Sequence, residues 1–267
     1  MSMPVRGKMD IGFNRRVRAI WLDKTLRMAA AGVAAKEIET AIKEDIAADN
    51  HGKETIRKVF VYLNRVWLNP PKYCTALRDD AVEMFRQRPD GEGAFLLNWG
   101  MSLAAYPFIA RVAEATGRLL RLQGDAHANQ VNMRIREEFG DRHFVYRSVR
   151  YNLSTFLEAG ALKEGPKRGI YVRGLVMKPR NDKEFSWLVE ALLCSQEEAS
   201  LPLQQIVVHG ALFPFSLSGL SLATLKANPR LEVFRHGLTE NLVGLRMDSS
   251  APIKTVLQSD RNRSKHE

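Results

Sequence analysis

Apolar positions recur at helical spacing through most of the first 160 or so residues. The cleanest run covers residues 53–68, where Ile56, Val59, Phe60, Leu63 and Trp67 fall at i, i+3, i+4, i+7 and i+11 and share one helix face. Asn69-Pro70-Pro71 ends it, because proline has no amide proton to donate and disfavours a helical residue before it. The same reasoning predicts a helix at residues 14–31, begun by an Asn14 cap and stopped by Gly32. Another is expected at 34–45, with Ile38, Ile42 and Ile46 on one side. Helices at 73–87, 94–105 and 108–123 follow, with residues 88–93 as a loop. The 94–105 helix is apolar all round, which marks the buried centre of a bundle.

The pattern changes over residues 127–173. A helix at 128–138 repeats Val131, Ile135 and Phe139, and Gly140-Asp141 breaks it, with Asp141 placed to cap the next helix. That second helix, 142–158, gathers Val145, Val149, Leu153, Phe156 and Leu157 into one stripe and stops at Gly160, a left-handed cap. Residues 161–163 and 170–172 then read as a hairpin closed by a basic loop. Helix, tight turn, helix, strand, loop, strand is the order of a winged helix-turn-helix.

Four regions result: a helical bundle at 1–124, a winged helix-turn-helix at 125–178, a small α+β extension at 179–247, and a disordered tail at 248–267. The chain is mainly α, and the 108–123 helix is open to sharing across the first boundary. Residues 178–182 read as a linker, and the extension holds a helix at 184–196 and a final hairpin pairing 231–235 with 242–246. This helix and hairpin resemble part of a second winged unit without a basic helix, and are read as a structural extension.

The opposite face of the 142–158 helix carries the functional signal. Arg142, His143, Tyr146, Arg147, Arg150, Tyr151 and Ser154 point away from the apolar stripe, and the only acid, Glu158, stands at the end. A surface of this kind can enter a major groove, with arginines on base edges or phosphates and tyrosine hydroxyls on phosphates. Lys167 and Arg168 in the hairpin loop would lie along the backbone. The same face is compatible with simple solvation or with protein docking. Charge tips the reading, since the net balance is +10 and a polyanionic partner is favoured. Arg6, Lys8, Arg15, Arg16, Arg18, Lys24 and Arg27 face only Asp10 and Asp23 in the first 27 residues, so Arg15, Arg16 and Arg18 join the candidate nucleic-acid contacts.

Other chemistries find little support. There is no glycine-rich phosphate loop, nucleophile elbow or zinc spacing, and the six histidines are scattered. Cys74 and Cys194 are too few for a disulfide framework. Asp79-Asp80 and Glu137-Glu138 are helix neighbours, which diverge by about 100° and cannot converge on one ligand. No enzyme activity, cofactor or metal is expected. No apolar run reaches the roughly 18 residues that span a bilayer, so a cytoplasmic protein away from membranes is expected.

The run RRVRAIWLDKTLRMAAAGVAAKEIETAIKEDI, then GKETIRKVFVYLNRVWL and FLLNWGMSLAAYPFIARV, is similar to the BrxA-like accessory proteins of bacterial BREX phage-defence systems. The resemblance covers about residues 14–160 and rests on helical patterns. It implies a NusB-like bundle and a DNA-binding protein acting beside other defence-system proteins. A transcriptional repressor using the same winged helix, and an adaptor for an acidic protein or RNA, are the competing readings. Sequence preference and oligomeric state are not legible in the chain.

Overall fold

The computed structural model describes residues 15–236 and 240–246. The Asn14 cap, the basic residues before it and the expected tail at 248–267 lie outside the described residues. Helix α1 spans Ala19–Ala30, beginning five residues after the expected start at residue 14 for a specific reason. Thr155 Oγ1 donates to the Val17 carbonyl at 3.1 Å and accepts from the Val17 amide at 3.4 Å, which holds Arg15–Arg18 off the helix. The bundle continues with α2 (Ala35–Ala48), α3 (Lys53–Leu63) and α4 (Thr75–Gln87). The expected helix at 53–68 ends in a π turn, Asn64–Leu68, whose extra residue lets Leu63, Val66 and Trp67 all reach the core.

Helix α5, Gly91–Ala105, is buried almost throughout, as its composition requires. It begins inside the segment expected to be a loop. Asp90 is the reason: its Oδ1 accepts from the Gly93 amide at 2.7 Å, while Oδ2 takes Arg180 Nη1 at 2.6 Å. One side chain thus caps the helix and anchors the 178–182 connection, which is pinned where the sequence suggests a plain linker. Asp90→Ala is expected to cost about 0.5–2 kcal/mol as a lost N-cap, read by chemical denaturation.

Helix α6 (Pro107–Gln123) turns away from α5 by 116° at Tyr106. After left-handed Gly124 come strand β1 (Asp125–His127), helix α7 (Ala128–Phe139) and helix α8 (His143–Glu158). Strands β2 (Leu162–Glu164) and β3 (Ile170–Arg173) complete an antiparallel sheet in the order β1-β3-β2, with Ala126 opposite Tyr171. The three-residue β1 has too little periodicity to be seen in the sequence. Helix α6 packs against α5 on one side and against β1, α7 and α8 on the other. Phe108 meets Phe139 edge-on at 5.1 Å, and Val131, Ile135, Val145, Val149 and Leu153 close the same core.

The last part repeats this element order. Helix α9 (Asp182–Ser195), buried from Glu184 onward, is followed by β4 (Ser200–Pro202), α10 (Leu203–Val207), α11 (Leu222–Ala227), β5 (Leu231–His236) and β6 (Glu240–Leu245). Its sheet is again antiparallel, β4-β6-β5, and the expected final hairpin is present with Leu231 opposite Leu245. The second unit sits tight against α6, because a Cβ on Gly117 would lie 2.1 Å from the Gly210 carbonyl oxygen. Only glycine permits that approach. Arg230 ties the unit to α4 and α9 through Asp80 and Glu190. No single described helix is long and apolar enough to cross a membrane.

Candidate nucleic-acid interface

The turn between α7 and α8 is made by Gly140 at φ +83°. Asp141 does not cap α8 as its position suggests. Arg142 occupies the cap with no side-chain bond, and the Asp141 carboxylate pairs with Arg136 of α7 instead. The acid is nearer a full charge there than a set of amide protons, and the exchange leaves the α8 N-terminus open.

Burial sorts α8 into two faces. Val145, Val149, Leu153 and Phe156 are buried, as the stripe predicts, and Leu157 is partly so. Ser148, Asn152 and Thr155 are buried beside them, a polar layer the apolar pattern does not reveal. The Asn152 amide donates to the Ser148 carbonyl at 2.8 Å, and Thr155 holds the segment around Val17. On the outer face Arg142, His143, Tyr146, Arg147 and Arg150 are exposed, with Tyr151 and Ser154 half-buried.

Two arginines on this face are paired with rings one turn away. The Arg147 guanidinium lies 6.0 Å from the Tyr151 ring and donates to its hydroxyl at 3.4 Å. Arg150 lies 5.8 Å from the Tyr146 ring. Such contacts are worth about 0.5–1 kcal/mol at exposed sites and hold a guanidinium without neutralising it. Among the described residues, none of Arg142, Arg147 and Arg150 is in a salt bridge.

The hairpin loop stands next to this face. Its turn is closed by the Ile170 amide donating to the Lys167 carbonyl at 3.0 Å, with Gly169 at φ +81°. Lys167 and Arg168 are exposed at its tip. The Gly169 carbonyl accepts from the Ala128 amide at 2.8 Å, which fixes the loop to the start of α7. Tyr171 on β3 is partly buried. Burial, then Glu164, pushes its phenol up from the ordinary range, while Arg150 and Arg168 both pull it down. Arg150 from the helix and Arg168 from the loop therefore act on one ring. The sequence pattern misses Tyr171, because its neighbours in strand give it no distinguishing spacing.

The N-terminal arginines have a different fate. Arg16 and Arg18 both bind Glu158 at the far end of α8, at 2.6 and 3.0 Å, and Arg18 also reaches Asp49 at 2.5 Å. Arg15 donates to Thr55 at 3.3 Å. The fold does bring these residues to α8, but about 24 Å from Arg142 by helical rise. Much of the charge of Arg16 and Arg18 is spent within the protein.

Lys167→Ala with Arg168→Ala is expected to weaken all duplexes alike and to lower the salt slope of binding by about two, roughly one per lost phosphate contact. Loss on one sequence alone, with the slope intact, would show that the loop reads bases.

Asp79-Asp80 and Glu137-Glu138 each have a member engaged in an ion pair. Glu138 takes Arg111 at 3.1 Å, and Asp79 takes Arg78 at 2.9 Å. Cys74 and Cys194 are both buried, and no described group of three or more His, Cys, Asp or Glu could hold a metal ion. Comparison with protein-family models, with curated proteins and with solved structures gave no match to this chain.

Proposed function

We propose that residues 107–173 form a winged helix-turn-helix that binds double-stranded DNA, with α8 in the major groove and the 165–169 loop as the wing. The order helix, strand, helix, helix, strand, strand and the β1-β3-β2 sheet support the module assignment. The observation that carries the reading is the outer face of α8, where Arg142, Arg147 and Arg150 are exposed and in no described salt bridge, together with the exposed Lys167 and Arg168 of the loop. An exposed face of arginines without acidic partners is suited to phosphates and guanine edges.

Most of the affinity then comes from phosphate contacts, which carry no direct sequence information. The resemblance to BrxA-like proteins supplies the setting: an accessory subunit of a BREX-type phage-defence system, with a NusB-like bundle that meets other defence proteins. Duplex selection from a random pool tests the reading. Weak discrimination is expected, with unrelated duplexes binding within about tenfold of one another, some 1.4 kcal/mol. Enrichment of one palindromic site would replace the accessory role with that of a repressor. Failure to bind any duplex at moderate salt would sink DNA binding and leave the adaptor.

A further inference from the structure

A cavity of about 300 Å³ lies between α1, α5 and the C-terminal half of α8, remote from the loop at 165–169. That is at the lower end of the roughly 300–1,000 Å³ typical of small-molecule sites. Its wall is mostly apolar, and its aromatic side is rigid. Trp99 lies 4.8 Å from Phe156 and 6.0 Å from Phe95, and its indole N–H donates to the Ala211 carbonyl at 3.0 Å.

Charge in the wall is one-sided. The chain as a whole carries +10, yet among the described residues the cavity is lined by Asp23, Glu92 and Glu158 and by no Lys, Arg or His. Glu158 is already met by Arg16 and Arg18. Asp23 is not so compensated. Arg27, one turn along α1, lies over the Phe85 ring at 5.3 Å and forms no ion pair with it. Burial raises the Asp23 carboxyl from its ordinary range, against Arg27 and Asn98, which lower it.

A half-buried carboxylate without an ion-pair partner is costly to keep, and this one is held in place. The buried Trp67 indole donates to Asn98 Oδ1 at 2.9 Å, and Asn98 Nδ2 donates to Asp23 Oδ1 at 2.5 Å. The second Asp23 oxygen has no hydrogen-bond partner among the described residues. A fixed acid with one free oxygen, facing an aromatic wall, is the arrangement that receives an ammonium group on an apolar body. We infer that this cavity binds a small organic monocation, a primary amine with an aromatic or branched aliphatic body, anchored by Asp23. The site stands apart from α8's outer face and does not depend on DNA binding.

Calorimetric titration of the full chain with phenethylamine, 2-phenylethanol and phenylacetate, three probes of similar shape and different charge, tests it. The amine is expected to bind at least about tenfold more tightly than the alcohol, and the carboxylate not detectably. Asp23→Asn keeps an acceptor for Asn98 but removes the charge, and should bring amine and alcohol to parity. The variant's thermal midpoint checks that it is folded. If wild type takes amine and alcohol equally, or neither up to millimolar concentration, the cavity is not a cation site. A folded Asp23→Asn protein that keeps the full preference for amine would equally overturn the assignment. Should the variant fail to fold, the wild-type ranking of the three probes alone decides.

Discussion

Arg147→Glu combined with Arg150→Glu is expected to weaken duplex binding by roughly 100-fold or more, about 2.7 kcal/mol, at near-physiological salt. Both side chains project from the outer face of α8 and neither is in a described salt bridge, so under the proposed DNA-binding role reversal would replace two attractions to phosphate with two repulsions. The cost to folding is only the two arginine–tyrosine contacts, about 0.5–1 kcal/mol each. The thermal midpoint should therefore fall by only a few degrees. Fluorescence anisotropy on a labelled duplex, beside a melt of the same sample, separates the two effects. An unchanged affinity in the folded double variant would place the nucleic-acid surface elsewhere, or remove it.

Trp67→Ala carries the largest expected loss of stability, about 3–5 kcal/mol. Trp67 is fully buried among the α3 and α5 side chains, so its removal leaves a cavity that packed helices cannot close. It also strips the indole donor from Asn98, whose oxygen then lies buried without a partner. Trp67→Phe removes the donor while keeping most of the ring, and should cost less than the alanine variant, about 1–3 kcal/mol. Urea denaturation of both variants checks the pair. A Trp67→Ala protein as stable as wild type would mean that this stripe is not the core of the bundle.

Legibility in the sequence tracks the length of the repeating pattern. Helices whose apolar stripe runs over several turns, such as α3 and α8, were readable because burial alone dictates their spacing. The failures are local and electrostatic. Asp90 turned part of an expected loop into the first turn of α5, and Asp141 took Arg136 as partner in place of the α8 amides. Each choice depends on a side chain from another element or on a single competing charge, which no periodicity records. The basic face of α8 was legible residue by residue, but the joint action of Arg150 and Arg168 on Tyr171 was not. Arg16 and Arg18 looked free in the sequence, and only the fold brings Glu158 and Asp49 to them.

Helix α6 bears on how the molecule can be taken apart. It is covered by α5 on one flank, by β1, α7 and α8 on another, and by the Gly210 turn along Gly117. A cut at Gly124 would lay bare the apolar side chains of Phe108, Ile109, Val112 and Leu119, and deprive α7 and α8 of their floor. The α7–α8 unit is therefore not a cassette that recombination could move to another protein intact. It is welded to the bundle, without a hinge whose freedom would have to be frozen out when a ligand is gripped. Any torque exerted on α8 from outside passes into α6, and through it into α5.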